Sequence, residues 1–494
     1  MIKVLLRGHD YQYEVSELIK VFKKFQEIEF VKDEALAEDQ SFLLVSKVEK
    51  QNDEYTICAK LIKNHKTIIQ NSINCIKETD NQKKMRKILK QKIKLSIFHV
   101  LSKFYETNPP WGILTGIRPT KIVHELMEQN FELKQIREIL KEKYQMCAEK
   151  IDLVTEIAQM ERPFLATNSN DLVSMYVSIP FCPTRCIYCS FPSNPLDKGK
   201  NLIKAYLKAL CYEIQEIGKI LKKHNKKVET LYIGGGTPTT LTHEELEMLI
   251  KEIKKHIDLR WVKEITVEAG RPDTITIEKL MVLKREGVNR ISINPQTMNQ
   301  RTLDVIGRSH TAEEIIHSYN MAKQVGFDTI NMDIIIGLPG ETVEMVETTM
   351  KEIEKLNPEN LTVHTLAVKK TSRLRANIND YPLAEEEEAI RMLEITKKYA
   401  ERMNMKPYYM YRQKYMLGNL ENIGYTKAYH ECIYNIQIME EKQSIIALGA
   451  GAVSKIYYKE ENRLERVPNV TNVEHYISRV EEMIERKKKE LNNV

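Results

Sequence analysis

Three cysteines are crowded into eight residues of this 494-residue chain, which has eight cysteines in all. They are Cys182, Cys186 and Cys189, in the spacing C-x3-C-x2-C. Thiolates bind soft metals, among them zinc and the iron of iron–sulfur clusters. A closed structural zinc site takes four protein ligands, and no fourth cysteine or histidine lies close by in the sequence. Three thiolates can hold three irons of a [4Fe–4S] cluster and leave the fourth open to a small molecule. A zinc site with a distant fourth ligand is the alternative.

Further groups that could do chemistry follow the cysteines along the chain. The triplet Gly234–Gly236 lacks side chains, so its backbone can approach a ligand closely, and Thr237 adds a hydroxyl. Later come single polar residues of types that bind carboxylates, amines or sugar hydroxyls: Glu268, Gln296, Arg308 and Asp333. Taken singly, each also fits an ordinary role in packing, in an ion pair or in a tight turn.

The elements that must position these residues alternate between short β-rich stretches and helices from about Asp171 onward. The helices show apolar residues at three- and four-residue spacing. The predicted strands are Met175–Ile179, Thr230–Ile233, Ile265–Glu268, Arg290–Asn294, Thr329–Ile335 and Leu361–Thr365. Strands separated by helices form right-handed parallel β-α units, so we predict an α/β fold whose helix-covered parallel sheet curves toward a barrel. Functional residues are then expected at the carboxyl ends of the strands.

Two regions flank this predicted barrel. Residues 1–165 are predicted to form an N-terminal α/β domain of unknown role, and residues 166–385 hold the barrel. Residues 386–494 are predicted to form a smaller C-terminal α+β region with a tyrosine-rich stretch, and this region is a candidate cover for substrate. Both boundaries follow the points at which the rhythm of strands and helices changes.

Composition excludes several classes of protein. Hydrophobic residues make up 42% and charged residues 29% of the chain, an ordinary globular mixture that argues against general disorder. No apolar run is long enough for a membrane span and no apolar signal stretch follows Met1, so we expect a soluble cytoplasmic protein. The net charge of +6 is weak evidence for nucleic acid, and we interpret the basic stretch Lys83–Lys94 as a solvated helix face.

The cysteine motif, with the aromatic Tyr188 directly before its last cysteine, resembles that of the radical S-adenosylmethionine (SAM) superfamily. Five later motifs narrow the resemblance to the oxygen-independent coproporphyrinogen III oxidase family, the HemN-like proteins: Gly234–Thr239, Thr266–Asp273, Asn289–Gln296, Ile306–His310 and Asn331–Gly340. The amino-terminal extension and the Tyr-Arg-Gln run near Arg412 resemble the HemZ-type branch of that family. The family resemblance is strong from about Asp171 to Arg373.

This resemblance implies a radical SAM partial (β/α)6 TIM-type barrel that holds two cofactors. A [4Fe–4S] cluster is expected on Cys182, Cys186 and Cys189, with SAM on its fourth iron. The expected SAM-binding residues are Tyr176, Tyr188, Gly235, Gly236, Thr237, Glu268, Gln296, Arg308, Asp333 and Ala367. Tyr176 and Arg308 are the expected catalytic residues among them.

The resemblance also implies a radical reaction of heme biosynthesis. A reduced flavodoxin or a ferredoxin-type donor is expected to give the cluster an electron, after which SAM is cleaved to a 5′-deoxyadenosyl radical. That radical removes hydrogen from a substrate propionate, and loss of CO₂ and one electron leaves a vinyl group. Two such rounds convert coproporphyrinogen III to protoporphyrinogen IX. A relative in the same family is a heme chaperone, so heme binding is one alternative. A radical SAM reaction on another substrate is the other.

Two features of the sequence bear on the substrate. Oxidases of the family carry Tyr-x-His before the cluster, whereas this chain has Ser178 in the histidine position, and a serine cannot do the acid–base work of an imidazole. The four propionates of the substrate require cations, and the candidates are Arg271, Arg308 and, within the tyrosine-rich run, Arg412 and Lys414. A surface strand of ordinary amphipathic residues is the alternative for that run.

Overall fold

A computed structural model gives the fold over residues 2–22, 27–33, 42–167, 169–191, 194–195, 200–414 and 416–492. Contacts divide the chain into two compact units, Met1–Glu156 and Ile157–Val494. The domain boundaries after residues 165 and 385, which the sequence suggests, stay predictions. Among the described residues, no helix combines the length and the apolar character that crossing a membrane requires.

The first unit is a five-stranded sheet with helices packed against it. Its strands are β1 (Ile2–Arg7), β2 (Ile28–Val31), β3 (Phe42–Gln51), β4 (Glu54–Lys63) and β5 (Lys66–Ile76). Its helices are α1 (Gln12–Phe22), α2 (Gln82–Tyr105), α3 (Thr120–Glu128), α4 (Leu133–Tyr144) and α5 (Ala148–Ala166), the last of which crosses the unit boundary. The sheet order is β2-β1-β3-β4-β5; β1 is parallel to both neighbours, and β3 to β5 form an antiparallel meander. Strand residues Val4 and Ile57 share one core with helix residues Val15 and Ile97.

The basic stretch lies in the first half of helix α2. The side chain of Asn81 caps this helix by accepting hydrogen bonds from the backbone N–H groups of Lys83 and Lys84, at 3.0 and 3.2 Å. Lys87 forms an ion pair with Glu125 of α3, with 3.1 Å between nitrogen and oxygen. The stretch therefore makes contacts inside its own unit, although an exposed pair of this kind contributes at most about 1 kcal/mol to stability.

The second unit contains the remaining thirteen strands and eleven helices of the described residues. Its strands are β6 (Leu172–Ile179), β7 (Phe181–Cys182), β8 (Asn194–Pro195), β9 (Lys227–Gly235), β10 (Glu264–Glu268), β11 (Arg290–Ser292), β12 (Thr329–Ile336), β13 (Asn360–Thr365), β14 (Lys406–Tyr411), β15 (Asn422–Thr426), β16 (Ser444–Leu448), β17 (Val453–Tyr458) and β18 (Arg463–Pro468). Its helices are α6 (Lys200–Lys223), α7 (His243–His256), α8 (Ile277–Arg285), α9 (Gln300–Val305), α10 (Ala312–Val325), α11 (Val343–Leu356), α12 (Arg373–Ala376), α13 (Glu386–Arg402), α14 (Ile433–Glu440), α15 (Val473–Ser478) and α16 (Val480–Leu491).

An eleven-stranded sheet forms the centre of this unit, in the order β14-β15-β13-β12-β11-β10-β9-β6-β16-β17-β18. Its middle six strands, from β13 to β6, are parallel neighbours, which confirms the predicted α/β architecture. Strand β16 adds a further parallel strand beside β6, and antiparallel strands continue the sheet on both sides. The sequence did not predict these additions, because pairing between segments far apart in the chain leaves no local pattern.

Local sequence places the helices between the strands. Thr242 and Glu245 form a reciprocal capping box at the start of α7, and Thr311 and Glu314 form another at the start of α10. The central strands are almost fully buried, as strands covered on both faces must be, and every residue of β11 and β16 is buried. Their side chains can meet water or a ligand only at the strand ends, so polar residues there line a site.

A fully buried ion pair ties the C-terminal helix to the barrel. Lys487 Nζ of α16 lies 2.7 Å from Glu213 Oε1 of α6, and both side chains are inaccessible to solvent. The other carboxylate oxygen accepts hydrogen bonds from Gly449 N at 2.7 Å and from the Tyr476 hydroxyl at 2.6 Å. The pair therefore also holds the loop between β16 and β17, which packs against the carboxyl end of β6.

Removing one partner of this pair should be costly. We expect Lys487→Ala to lower the free energy of unfolding of the second unit by about 3–5 kcal/mol, because the Glu213 carboxylate would stay buried without its counter-charge. Urea unfolding followed by circular dichroism measures the change. The control is Lys488→Ala, which removes an exposed lysine paired with Glu485 and should change stability by less than about 0.5 kcal/mol. Equal effects of the two substitutions would contradict this account.

Candidate functional site

The three cysteines lie on one loop, the thiol loop (residues 180–191), directly after strand β6. Backbone hydrogen bonds hold this loop on two sides: Ile187 N donates to Ile306 O at 3.1 Å, and Leu374 N donates to Ile187 O at 2.9 Å. None of the three thiols forms a disulfide, and all three line a single cavity. The parallel sheet thus presents three soft donors at the carboxyl end of its first strand.

Two of the sulfur atoms have polar neighbours on other strand ends. Cys182 Sγ lies 3.5 Å from Thr237 Oγ1, and Cys186 Sγ accepts a hydrogen bond from Arg271 Nη1 at 3.8 Å. Burial raises the pKa of the Cys182 thiol to about 11, so this group stays protonated at neutral pH without a metal. Binding of metal displaces that proton, since thiolates and not thiols are the ligands.

The spacing of the sulfur atoms distinguishes the two candidate metal centres. All three cysteines belong to the described residues, and their sulfur atoms do not form a group whose members all lie within 4.8 Å of one another. Tetrahedral zinc at about 2.3 Å from each sulfur needs sulfur atoms about 3.8 Å apart. A [4Fe–4S] cube separates its ligands more widely, so the thiol loop fits a cluster better than a single zinc ion.

The cavity beside the thiol loop has a volume of about 410 Å³ and brings together every residue that the sequence predicts for the cluster and SAM. The predicted residues that line it are Tyr176, Cys182, Cys186, Tyr188, Cys189, Gly235, Gly236, Thr237, Glu268, Gln296, Arg308, Asp333 and Ala367. They come from successive strand ends because parallel strands all finish at the same edge of the sheet. Their individual roles stay predictions.

The glycine turn after β9 is closed tightly over the thiol loop. A Cβ atom at Gly236 would lie 2.5 Å from Phe181 O and 3.0 Å from Cys182 Sγ, and Gly235 has a φ of +116°. No other residue fits both requirements. Thr237 N donates to Phe181 O at 2.7 Å, which locks the turn onto the loop and leaves its backbone facing the cavity.

Glu268 is a buried carboxylate at the end of β10. It accepts hydrogen bonds from the Tyr232 hydroxyl at 2.8 Å and from Gly235 N at 3.2 Å. Burial raises its pKa to about 7, so it changes charge near neutral pH. A cationic ligand group in the cavity would hold it ionised, which suits the ammonium group of SAM.

Gln296 shows that this part of the cavity is built for a ligand. Its φ is +66°, which is rare outside glycine, and a backbone hydrogen bond from Gln296 N to Asp333 O at 2.9 Å holds it there. Among the described residues, its buried Oε1 has no hydrogen-bond partner. A buried acceptor without a donor is costly, so a ligand hydroxyl or amine is the natural partner.

Arg308 and Tyr188 form the opposite wall. The Arg308 guanidinium donates to Gly270 O at 3.0 Å and to Asn294 O at 2.7 Å, and it lies 3.4 Å from the Tyr188 hydroxyl. These hydrogen bonds fix the orientation of the planar guanidinium, and its buried positive charge remains available to bind a carboxylate group of a ligand.

Asp333, in the middle of β12, lies beside an imidazole that was not predicted from the sequence. His364 Nε2 is 3.7 Å from Asp333 Oδ2, and His364 Nδ1 is 3.2 Å from the Tyr411 hydroxyl. Burial alone would raise the pKa of Asp333, but the hydrogen bond and charge of His364 lower it below the ordinary value. The cavity therefore contains a carboxylate, an imidazole and a phenol in contact.

The C-terminal strands supply more of this wall than the sequence indicated. Tyr409, Tyr411 and Gln413 line the cavity, but Arg412 does not. Its guanidinium donates to Asn419 Oδ1 at 2.6 Å instead. The expectation that Arg412 faces the substrate is therefore wrong, because alternate residues of an extended strand point to opposite faces.

Three tyrosines stack next to the cavity, although only one was singled out from the sequence. The rings of Tyr232 and Tyr434 have centroids 4.5 Å apart, and Tyr176 lies 6.1 Å from each, all close to parallel. Tyr232 could have been found from its place two residues before the glycine triplet on the same strand face. Tyr434 comes from α14, for which the local sequence gives no signal.

Ser178, which replaces the family histidine, faces away from the cavity. Its hydroxyl donates to Ala450 O at 2.9 Å, and its carbonyl accepts from the Tyr206 hydroxyl at 2.6 Å. The side chain is almost fully buried and is not part of the cavity lining. The loop at Gly449 closes over this position, so residue 178 makes structural contacts here.

Fold and site together define a radical SAM protein: a parallel barrel with three thiols after its first strand and a glycine turn after its second. The family model of the radical SAM superfamily matches residues 176–353. The solved structure of coproporphyrinogen III oxidase (HemN) from Escherichia coli is similar, with a TM-score of 0.52 over 66% of this chain and 73% of that chain. Sequence identity in that alignment is 23%, so it supports the fold alone.

Curated relatives define the family more narrowly. The chain is 43% identical over 418 residues to the oxygen-independent coproporphyrinogen-III oxidase-like protein HemZ of Bacillus subtilis, an alignment that spans 84% of this chain and 83% of the relative. The chain belongs to this HemZ-type family of radical SAM proteins. It is also 32% identical over 320 residues to the heme chaperone HemW of Bacillus subtilis, spanning 63% of this chain and 76% of that protein. The predicted cofactors, a [4Fe–4S] cluster and SAM, are confirmed as those of the superfamily.

The ligand assignment can be tested by removing one thiol. We expect Cys186→Ala to lose the iron and sulfide of the reconstituted cluster, because two thiolates do not hold the cube. Iron and sulfide analysis with absorption spectroscopy measures the loss. The matched control is Cys211→Ala, which removes a thiol on α6 outside the cavity and should keep a full cluster. A full cluster in the Cys186 variant would show that the assignment is wrong.

The hydrogen bond to Cys186 also predicts a redox effect. The guanidinium of Arg271 stabilises negative charge on the sulfur, so it favours the reduced cluster. We expect Arg271→Gln to shift the midpoint potential to more negative values in a titration followed by electron paramagnetic resonance. Arg260→Gln is the control, since that exposed arginine pairs with Asp258 and should leave the potential unchanged. An unchanged potential in the Arg271 variant would contradict this role.

Proposed function

We propose that this protein is a radical SAM oxidoreductase of heme biosynthesis. Its substrate is coproporphyrinogen III, two propionates of which are oxidatively decarboxylated to vinyl groups without oxygen, giving protoporphyrinogen IX. The observation that carries the proposal is the single cavity in which three thiols, the predicted SAM contacts and a tyrosine-rich wall meet. Membership of the HemZ-type family supports it. A cytoplasmic setting and a flavodoxin or ferredoxin-type electron donor, both expected from the sequence, belong to the same proposal.

The chain's own residues would hold the two cofactors at the thiol loop. Cys182, Cys186 and Cys189 bind the cluster, and the turn at Gly235 and the Glu268 carboxylate receive the amino group of SAM. When bound, the reduced cluster and SAM supply the organic radical that removes hydrogen from the substrate. The buried walls exclude water, which protects a radical from side reactions.

The remaining wall suits a flat, largely apolar macrocycle that carries carboxylates. Tyr176, Tyr232 and Tyr409 offer ring faces for packing. Lys369 also lines the cavity, and its ammonium forms no ion pair with an acid among the described residues. By contrast, the guanidinium of Arg271 already forms an ion pair with Asp273, with 2.9 Å between Nη2 and Oδ2. Lys369 is therefore the cation in this wall best placed to receive a propionate.

His364 offers the proton-holding group that Ser178 lacks. Its imidazole lies in the cavity between Asp333 and the hydroxyl of Tyr411. The Tyr411 hydroxyl orients the ring, and the Asp333 carboxylate lies beside its other nitrogen. A substrate carboxylate or pyrrole nitrogen beside it would find a hydrogen-bonding imidazole inside the cavity rather than at position 178.

Heme binding without turnover is the second candidate. Two observations favour it: the similarity to the heme chaperone HemW over 63% of this chain, and the serine in place of the oxidase histidine. The two candidates differ in their products, since a chaperone binds heme in a fixed ratio and makes no vinyl group.

One assay separates these functions. The cluster is reconstituted anaerobically, SAM, dithionite and coproporphyrinogen III are added, and the tetrapyrroles and 5′-deoxyadenosine are measured by mass spectrometry. We expect vinyl products that depend on SAM. Heme bound in a fixed ratio, with an intact reducible cluster and no vinyl product, would refute the oxidase and support the chaperone. Deoxyadenosine formed only with another substrate would refute both.

The same assay tests Lys369. We expect Lys369→Gln to raise KM for coproporphyrinogen III about 10- to 100-fold. The reason is that the variant loses one charge-assisted hydrogen bond to the substrate, which contributes about 1.5–3 kcal/mol. Lys370→Gln is the matched control, because that exposed neighbour is not part of the cavity lining and should leave KM unchanged with dithionite as the reductant. An equal KM in both variants would show that Lys369 does not meet the substrate.

A further inference from the structure

A short, strongly basic segment follows strand β13. Residues 368–377 contain four cationic residues and no acid, in a chain whose 75 basic and 69 acidic residues leave a net charge of only +6. Three of these cations are exposed, and we name them the cationic rim: Lys370, Arg373 and Arg375. The fourth, Lys369, belongs to the cavity wall.

The local fold directs the rim toward solvent. Ser372 and Leu374 are buried, with 3% and 0% of their surface exposed, so the residues between and beside them point outward. The Ser372 side chain caps helix α12 by accepting from Arg375 N at 3.2 Å. Within the described part of the chain, no ion pair joins any of the three rim cations to an acid. Among the residues that the structure describes, these three positive charges therefore stand together without an acidic ion-pair partner.

The rim is attached directly to the thiol loop. Besides the bond from Leu374 N to Ile187 O, the Arg185 guanidinium of the loop donates to Thr371 O at 3.2 Å and to Cys189 O at 3.4 Å. Two hydrogen bonds of the Arg185 side chain therefore connect the backbone at Thr371, within the basic segment, to the backbone of Cys189, a proposed cluster ligand. Cys189 is partly exposed, so the cluster edge at this ligand is close to solvent.

An exposed aromatic ring completes the surface. Phe191, at the end of the thiol loop, is 62% exposed, and Lys369 Nζ lies 5.8 Å from its ring centroid. Phe191 stands at the edge of the cavity, and Lys369 joins it in sequence to the rim. A large apolar side chain this exposed is typical of a contact surface for another macromolecule.

Location distinguishes a protein partner from the small substrate. The three rim cations do not line the cavity, so they cannot receive carboxylates of a molecule bound inside it. They face outward beside the cluster edge, where a partner larger than the cavity would rest. A cluster that must be reduced by one electron needs such a partner, and three unpaired cations select an acidic one.

We propose that the cationic rim, with the ring of Phe191 beside it, is the docking surface for an acidic one-electron carrier protein. The carrier, with a low-potential flavin or iron–sulfur centre, gives one electron to the cluster on its Cys189 side. The carrier is oxidised by one electron, the cluster is reduced by one, and no bond is formed or broken. The inference rests on the cluster of the proposed function, but not on its tetrapyrrole substrate.

Electrostatic steering should give this surface a measurable effect on the rate at which the carrier reduces the cluster. Opposite charges raise the rate of encounter by about 10- to 1,000-fold at low ionic strength, and salt removes the gain. A small reductant such as dithionite needs no docking surface, so its rate serves as an internal reference for the integrity of the cluster.

The test uses the full chain with its cluster reconstituted and flavodoxin hydroquinone as the probe. Arg373→Glu/Arg375→Glu reverses two rim charges, and Lys222→Glu/Lys223→Glu makes the same change in net charge at the end of α6. Helix α6 runs back along the parallel strands, so its last residues are at the opposite end of the barrel from the thiol loop. Bleaching of the cluster is followed by anaerobic stopped flow over a range of salt concentrations.

We expect the rim variant to be reduced by flavodoxin at least about 10-fold more slowly at low salt, with the control variant equal to wild type. Dithionite should reduce all three proteins at the same rate. Equal flavodoxin rates in the two variants would overturn the proposal, as would an equal loss with dithionite. A rise in KM for coproporphyrinogen III with dithionite would also overturn it, because the rim would then serve the substrate. Failure of the proposed tetrapyrrole reaction would appear in the product assay and leave the reduction rates unaffected.

Discussion

The close contact between the glycine turn and the thiol loop is the constraint on which the site depends. Phe181 O accepts from Thr237 N at 2.7 Å, and the missing side chain of Gly236 leaves room for the Cys182 sulfur. Because of this contact, the ends of the first two barrel strands present thiols and open backbone to the same space. A methyl group at Gly236 would separate them and with them the two cofactor-binding surfaces.

Charged side chains inside the barrel differ in their partners from those at its surface. Glu268, Asp333 and His364 lie inside, where burial raises the pKa of Glu268 and the contact with His364 lowers the pKa of Asp333. The cations at the thiol loop are mostly engaged: Arg308 with backbone carbonyls and Arg271 with Asp273. Of the cations without an acidic partner among the described residues, Lys369 lies in the cavity wall and the three rim cations lie outside it. The cation proposed to bind substrate is thus separated from those proposed to attract a partner from solution.

The C-terminal part of the chain decides the shape of the cavity. Strands β14 and β15 extend the sheet beyond β13 and add Tyr409 and Tyr411 to the lining, and helix α14 adds Tyr434 to the aromatic stack. Strand β16 pairs with β6 on the other side, and the loop after it covers Ser178. The buried pair of Glu213 and Lys487 holds that loop in place. Distant segments therefore fix both the tyrosine wall and the orientation of residue 178.

The sequence by itself determined the six parallel strands, the thiol triplet and the polar residues at the strand ends, because each is a local pattern with a short period or spacing. Every residue predicted to hold the cluster or SAM lines the cavity, since parallel strands bring their carboxyl ends to one edge. Only the tertiary structure decided that His364 and Tyr411 meet Asp333, that Arg412 and Ser178 turn away, and that the rim follows the loop that carries Cys189 without an acidic partner among the described residues. These depend on pairing between segments far apart in the chain, and such pairing is set by the packing of the whole unit and not by neighbouring residues.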